Sequence, residues 1–216
     1  MSAKNWYTID NVQEVDTPFL AVFPDRVKAN IDALKAIIPD TSRLRPHVKV
    51  HKSKQVVALM MEAGIAKFKC ATIAEAEMLA LAGAPDVLLA YQPVGPKIKR
   101  LIHLIAGYPA TKFACLVDNE QVASELAADA TARNLCVSVY LDLNVGMNRT
   151  GILPASALAL YRRIMGIRGV VLVGLHAYAG QITQADPESR HGLSAIAYEI
   201  AHHFWRNTLS RRVLTL

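Results

Sequence analysis

The residues with the clearest chemical character lie in the stretch LRPHVKVHKS, Leu44 to Ser53. If this stretch is a β-strand, its side chains alternate between two faces. One face then carries Arg45, His47, Lys49 and His51. The other carries Pro46, Val48 and Val50. In a βα unit the apolar face packs against helices, so the basic face looks into a barrel or cleft. Because buried like charges are costly alone, this face predicts an anionic partner near Lys49.

A lysine among other cations suggests one kind of chemistry. Burial and neighbouring positive charge both lower the pKa of a lysine amine, and a neutral amine forms Schiff bases with carbonyls. Pyridoxal phosphate (PLP) is a cofactor that uses such a lysine and brings its own phosphate. A class I aldolase uses the lysine without a cofactor. The residues of this stretch leave both possibilities open.

Short apolar strands alternate with amphipathic helices through most of the chain. Strands are predicted at Phe19–Phe23 and near 44–50, 67–71, 86–91, 112–117, 136–143 and 170–177, with a short one around Trp6–Ile9. Helices are predicted near 26–38, 53–63, 73–82, 95–106, 119–133, 155–165 and 188–206, with Ser53 as an N-cap and Gly64 as a C-cap. This repeat predicts parallel βα units, and its length favours a (β/α)8 TIM-type barrel over an open doubly wound sheet. The count of six or seven strands predicts an incomplete barrel.

Composition excludes several classes of protein. The chain has 216 residues, of which 52% are hydrophobic and 19% charged, as in a globular α/β protein. The net charge of +6 comes from dispersed basic residues without a nucleic-acid-binding motif, so no nucleic-acid partner is expected. No apolar run is long enough for a membrane span, and the N-terminus lacks a signal peptide. Three cysteines without metal-ligand spacing predict reduced, buried thiols in a cytoplasmic protein.

Polar residues stand where the predicted strands end, which is where barrels of this kind carry function. These strand ends hold Lys49, His51, Thr72, Tyr91, Gln92, Asp118, Asp142, Asn144, His176 and Tyr178, with Arg149 nearby. Together they predict a polar ring over an apolar barrel. Asp118 is the exception, because an aspartate before a polar turn is typical of a helix N-cap.

Several segments resemble, in order, those of the D-threonine aldolase and D-serine dehydratase family, which are relatives of alanine racemase with a fold-type III PLP barrel. The segments are DTPFLAVFPDRVKANI, RPHVKVHKS, CATIAEAEMLALAGAPDVLLAYQPVGP, LDLNVGMNRTGI and GLHAYAG. The resemblance implies a barrel of the alanine racemase type and a Schiff base between Lys49 and PLP.

The same resemblance assigns roles to other residues. It implies that Arg149 contacts the hydroxyl of the PLP ring and that Tyr178 packs beside that ring. Asp142 aligns with a carbamylated lysine of alanine racemases, so a direct ion pair between Asp142 and Arg149 is expected. The remaining cofactor-binding candidates are His176, Thr72 and Gln92. The catalytic candidates are Lys49, His47, His51 and Tyr178.

Two departures from the family bear on the reaction. Gln181 and Gln184 follow Tyr178 where D-threonine aldolases tend to have a histidine, so His47 or His51 is expected to take the β-hydroxyl proton. The family's glycine-rich phosphate-binding segment and its β-rich C-terminal domain, which carries the ligands of a divalent metal (Mn or Zn), do not occur in these residues. We therefore expect a truncated chain without metal ligands of its own, comprising a lead-in over residues 1–16 and a PLP-binding barrel over 17–216.

For the intact protein, the resemblance implies a PLP-dependent, metal-assisted lyase that cleaves a β-hydroxy D-amino acid to glycine and an aldehyde. Deamination like that of D-serine dehydratase is the first alternative, and racemisation of an amino acid is the second. A non-catalytic PLP-binding protein or an inactive fragment is the alternative from another class. Apart from the D-amino acid, the expected partner is a second copy in a homodimer.

Overall fold

The computed structural model describes residues 5–208. Five strands form one sheet: β1 Lys67–Cys70, β2 Asp86–Leu89, β3 Lys112–Val117, β4 Val137–Leu143 and β5 Val170–Ala177. Seven α-helices are described: α1 Pro24–Ile37, α2 Lys54–Glu62, α3 Ile73–Leu81, α4 Pro96–Gly107, α5 Glu120–Thr131, α6 Pro154–Ile164 and α7 Pro187–Thr208. Short 3-10 turns span Val12–Glu14, Thr41–Arg43 and Val48–Val50.

The sheet is parallel throughout, and its order is β1-β2-β3-β4-β5. Each strand lies beside the next one in the chain, without the reversal of order that marks a doubly wound sheet. Right-handed crossovers then place the connecting helices on the same face of the sheet. The predicted α/β architecture is therefore confirmed, as five strands of an incomplete barrel.

The two faces of the sheet differ in packing. The main hydrophobic core lies between the strands and the helices and includes Phe68, Cys70, Val87, Val117 and Leu141. The opposite face carries a small cluster of Leu88, Ala114 and Leu116, with Ala90 and Tyr140 against it. This second face is the interior of the barrel. On β5 the interior residues Val171 and Val173 are exposed.

Three predicted strands are wrong. Neither Phe19–Phe23 nor the stretch around Trp6–Ile9 is a strand, and residues 44–50 form only an isolated bridge from His47 to Lys69 of β1. Pro46 has no N–H, and its carbonyl accepts the one bond from Lys69 N at 2.8 Å. After that bridge the chain turns into the 3-10 turn at Val48.

Several local predictions are confirmed. Ser53 caps α2 by accepting a hydrogen bond from Val56 N at 3.3 Å, and Gly64 follows the helix with φ of 88°. Cys70 and Cys115 are buried, which raises the pKa of each thiol to about 12. Cys136 is exposed, contrary to the prediction that all three thiols are buried. None of the helices within residues 5–208 has the length and apolar character needed to cross a bilayer.

Candidate active site

Lys49 lies in the 3-10 turn Val48–Val50 rather than in a strand. His47 starts this turn, because its Nδ1 accepts a hydrogen bond from the backbone N of Lys49 at 3.1 Å. Val48 is fully buried, whereas Val50 is 84% exposed. The predicted apolar face is therefore wrong at Val50. Lys49 itself is exposed, so its amine is open to a ligand.

Arg45 does not join the predicted basic face. Its guanidinium pairs with Asp86 in two hydrogen bonds, of 2.6 and 3.1 Å, at the start of β2. It also donates to the carbonyl of Phe68 at 3.4 Å. This pair anchors the segment that leads to Lys49, while the charge of Arg45 still acts on Lys69.

Lys69 on β1 joins the site, although it was not among the predicted residues. It alternates with the buried Phe68 and Cys70, so its side chain lies on the barrel-interior face. Burial, together with the charges of Lys49 and Arg45, lowers the pKa of Lys69, while Asp142 acts in the opposite direction. The alternation in KFKC was the available signal, because it puts two lysines on the face opposite the core.

Asp142 and His176 meet at the ends of β4 and β5, where they are register partners. His176 Nδ1 lies 2.6 Å from Asp142 Oδ1. Burial raises the pKa of Asp142, but hydrogen bonds from His176, Thr150 and Gln92 outweigh it and hold that pKa below the usual value. The expected ion pair between Asp142 and Arg149 is not formed, because His176 takes its place.

Gln92 connects two carboxylates below the site. Its Nε2 donates to Asp118 Oδ2 and to Asp142 Oδ2, both at 2.9 Å. Both amide hydrogens are thereby used, and the side chain is buried. Gln92 was predicted to bind a cofactor, but the structure shows its amide nitrogen positioning Asp118 and Asp142.

Asp118 is not the helix cap that the sequence predicted. Asn119 caps α5 instead, since its Oδ1 accepts from Val122 N at 2.9 Å. Asp118 Oδ2 accepts from Gly151 N at 3.0 Å, which ties the loop after β4 to the end of β3. The loop carrying Arg149 is thus held by a contact that bridges two distant parts of the chain.

Tyr178 lies between two cations. The Arg149 guanidinium carbon is 5.3 Å from the centre of its ring, and the Lys69 ammonium is 5.8 Å from it. Gly180 makes room for this ring, because a Cβ there would lie 2.5 Å from Tyr178 Cε1. Tyr178 and Arg149 were both predicted, and the structure brings them together with Lys69.

Thr72 has a local role. Its hydroxyl caps α3 by accepting from Glu75 N at 3.1 Å, and the buried Glu75 carboxylate accepts from Ala71 N at 2.8 Å. In this capping pair the Thr72 hydroxyl acts as an acceptor, and its O–H donor remains. Thr72 still lines a cavity of about 190 Å³ with Gln92 and Tyr91, at the end of the strands.

His47 and His51 are held in one tautomer by their neighbours. His51 Nδ1 accepts from Ser53 N at 3.1 Å, as His47 Nδ1 does from Lys49 N. Burial lowers the pKa of both rings, and for His47 the charges of Lys49 and Lys69 add to this effect. Each neutral ring then carries its proton on Nε2, and that atom of His51 is buried without a partner among the described residues.

The donor set fits a phosphorylated aldehyde such as PLP. Lys49, Lys69 and Arg149 form no ion pair with any other residue between 5 and 208. The amine of Lys49 is exposed, and the neighbouring cations suit an anionic group. No cluster of three or more histidine, cysteine, aspartate or glutamate side chains that could hold a metal ion is found among residues 5–208.

The sequence is similar to a known protein family and to two relatives of known activity. Residues 22–207 match the family described as "Alanine racemase, N-terminal domain". Over 175 residues the chain is 29% identical to D-threonine aldolase from Arthrobacter sp, covering 80% of this chain and 46% of the relative. It is 27% identical over 189 residues to D-threo-3-hydroxyaspartate dehydratase from Delftia sp. (strain HT23), covering 86% and 49%.

Solved structures show the same fold. D-threonine aldolase from Filomicrobium marinum superposes with a TM-score of 0.79 at 27% identity, covering 88% of this chain and 52% of that one. The Delftia dehydratase gives 0.75 at 25% identity, covering 89% and 52%. Alanine racemase from Bacillus anthracis, at 19% identity and a TM-score of 0.67 over 88% and 50%, shares the fold. The chain spans about half the length of the relatives it matches.

Proposed function

Because this chain belongs to the alanine racemase N-terminal domain family, we propose that it is the barrel portion of a PLP-dependent lyase acting on β-hydroxy D-amino acids. The observation that carries the proposal is the exposed Lys49 amine, which forms no ion pair among the described residues and lies near Lys69. The named substrates of the two curated relatives, D-threonine and D-threo-3-hydroxyaspartate, both have a β-hydroxyl group.

The reaction we propose is retro-aldol cleavage to glycine and an aldehyde, as the relative named D-threonine aldolase suggests. Dehydration is the second candidate, because the Delftia relative is a dehydratase of similar identity. When bound, PLP supplies an electron sink for the negative charge that develops on the substrate Cα. Lys49 would hold the aldehyde carbon, and Arg149 and Tyr178 would hold the ring.

We assign proton transfer to His176. Its Nδ1 faces the Asp142 carboxylate at 2.6 Å, so a neutral ring donates from Nδ1 and keeps a free lone pair on Nε2. A carboxylate that orients a histidine in this way also stabilises the charged ring after proton uptake. His47 and His51, which were predicted for this role, have the opposite tautomer and present N–H groups instead.

Borohydride trapping tests the proposal. The full chain is incubated with PLP, reduced with borohydride and digested, and the modified lysine is located by mass spectrometry. Modification of Lys49, abolished by Lys49→Ala, supports the proposal; modification of a different lysine contradicts it.

The reaction is then assigned from products, with and without Mn²⁺ or Zn²⁺. Glycine and acetaldehyde from D-threonine support the aldolase, and pyruvate from D-serine supports the dehydratase. A change of configuration without cleavage indicates a racemase. Trapping at Lys49 without any product indicates a PLP-binding protein or an inactive fragment, which contradicts the lyase.

A further inference from the structure

The ammonium group of Lys69 faces the barrel interior without a partner. Lys67, two residues earlier on the same face of β1, donates to the carbonyl of Ser42 at 2.9 Å. Lys69 Nζ, by contrast, forms no hydrogen bond or ion pair with residues 5–208, and its one ring contact is with Tyr178. The two lysines of β1 therefore differ, because the ammonium of Lys67 has a hydrogen-bond acceptor and that of Lys69 has none among residues 5–208.

The carboxylate that acts electrostatically on Lys69 is Asp142, and it is already engaged. Asp142 is bound by His176 and Gln92. Asp86, the register partner of Lys67, is bound by Arg45 in a bidentate pair. A half-buried ammonium beside the positive charge of Lys49 is unfavourable unless an anion joins it, and an aromatic ring compensates only a small part of that charge.

We propose that Lys69 binds an oxyanion, a carboxylate or phosphate oxygen, of the ligand that Lys49 captures. The identity of that ligand rests on the proposed function, whereas the unpartnered position of Lys69 does not. Lys69 would then hold the ligand's anionic group beside the Tyr178 ring, and Lys49 would hold its carbonyl carbon. An amine that is half-buried and locked to an anion would not itself compete for the aldehyde.

The test compares Lys69→Met with Lys67→Met, which makes the same change on the same strand, in the full chain. PLP and pyridoxal, which lacks the phosphate, are titrated by absorbance, and D-threonine is then added to each PLP-loaded protein. Since one charge-assisted hydrogen bond is lost, binding of the affected ligand should weaken about 10- to 100-fold in Lys69→Met. Lys69→Arg keeps the positive charge, so it should bind that ligand more tightly than Lys69→Met does.

The titrations identify the source of the oxyanion. Weaker PLP binding with unchanged pyridoxal binding assigns the phosphate, and unchanged PLP binding with weaker D-threonine binding assigns the substrate carboxylate. Either result supports the proposal. If Lys69→Met binds every ligand as Lys67→Met does, or if borohydride traps PLP on Lys69, the proposal is wrong.

Failure of the proposed function is recognised separately. If PLP does not label Lys49 in the unmodified chain, the lyase assignment fails, and inorganic phosphate then replaces PLP in a calorimetric titration. Phosphate binding that is lost in Lys69→Met and kept in Lys67→Met still supports an oxyanion site at Lys69. No phosphate binding to the unmodified chain overturns that site as well.

Discussion

His176 Nδ1 and Asp142 Oδ1 are 2.6 Å apart, and the two side chains are only 13% and 4% exposed. Such a short contact between a ring nitrogen and a carboxylate is a charge-assisted hydrogen bond. It joins the ends of β4 and β5 on the barrel-interior face. The orientation of His176, and with it the atom that can accept a proton, therefore depends on Asp142.

Replacement of Asp142 by asparagine should weaken both the fold and PLP retention. If the NH2 group of the asparagine faces Gln92 Nε2, two donors meet. If it faces His176 Nδ1, the N–H of that ring loses its acceptor. Loss of a buried, charge-assisted hydrogen bond costs about 1–3 kcal/mol, which urea unfolding measures. PLP retention is measured by absorbance after dialysis.

The control is Asp32→Asn on α1, where the aspartate is exposed. It should leave both the free energy of unfolding and PLP retention unchanged. Equal PLP retention in Asp142→Asn and the unmodified chain would show that the pair with His176 does not support the cofactor site.

Asp118→Ala and Asn119→Ala should have separable effects, although the residues are adjacent. Asp118→Ala leaves the Gly151 amide unpaired, which costs about 1–3 kcal/mol and releases the loop that carries Arg149. Asn119→Ala removes the cap of α5, which costs about 0.5–2 kcal/mol. Hydrogen exchange should therefore accelerate at Gly151 in the first variant and at Val122 in the second. Faster exchange at Val122 in Asp118→Ala would instead indicate that Asp118 caps α5, as the sequence predicted.

Gly151→Ala should destabilise the chain by more than about 1 kcal/mol. Gly151 has φ of +94°, and a Cβ there would lie 2.8 Å from Asn144 N, so neither the backbone nor the neighbouring chain can accommodate it. Gly192→Ala is the matched substitution in α7, where a Cβ meets nothing within 4 Å. It should stabilise the helix by about 0.5–1 kcal/mol, so thermal unfolding should show opposite shifts. A lower unfolding temperature in both variants would contradict the explanation that the backbone angle and the space around Gly151 require a glycine.

Acid should destabilise the fold in two stages. The folded-state pKa values of His47 and His51 lie below the ordinary 6.5, so the unfolded chain binds more protons and stability falls as pH drops below that value. Asp142 has a folded-state pKa below 3.8, so a second loss follows as pH falls below 3.8 and through the folded value.

Asparagine can replace each histidine as an acceptor for the backbone N–H two residues on, but it does not titrate. In the double variant His47→Asn/His51→Asn, the free energy of unfolding should therefore fall less as the pH drops below 6.5. Urea unfolding at several pH values measures this. An unchanged slope would place the first stage on other groups.

Much of the architecture was predictable because it depends on local periodicity. Five strands and seven helices lie close to the predicted positions, since alternation and helical spacing are properties of short segments. The segment before Ser53 was one of three wrong strand predictions. Its alternating residues are typical of a strand, but Pro46 cannot donate to a sheet and His47 starts a turn.

The site was predictable only in part. Strand ends identified Asp142, His176, Gln92 and Tyr178, because parallel strands bring their carboxyl ends to one edge of the sheet. The contacts between these residues could not be predicted from the sequence. Asp118 looks like a helix cap in the sequence, and Lys69 looks like a surface residue of a short strand, until the neighbouring strands are placed.

The sequence by itself determined the βα repeat, the N-cap of α2 and the lysine that a family resemblance marks as the cofactor residue. The tertiary structure decided which charges compensate each other: Arg45 with Asp86, His176 with Asp142, and Lys69 with no residue in the described part of the chain. The physical reason is distance along the chain. Asp142 and His176 are 34 positions apart, and Asp118 and Gly151 are 33 apart, so only the register of the sheet and the path of its loops bring them into contact.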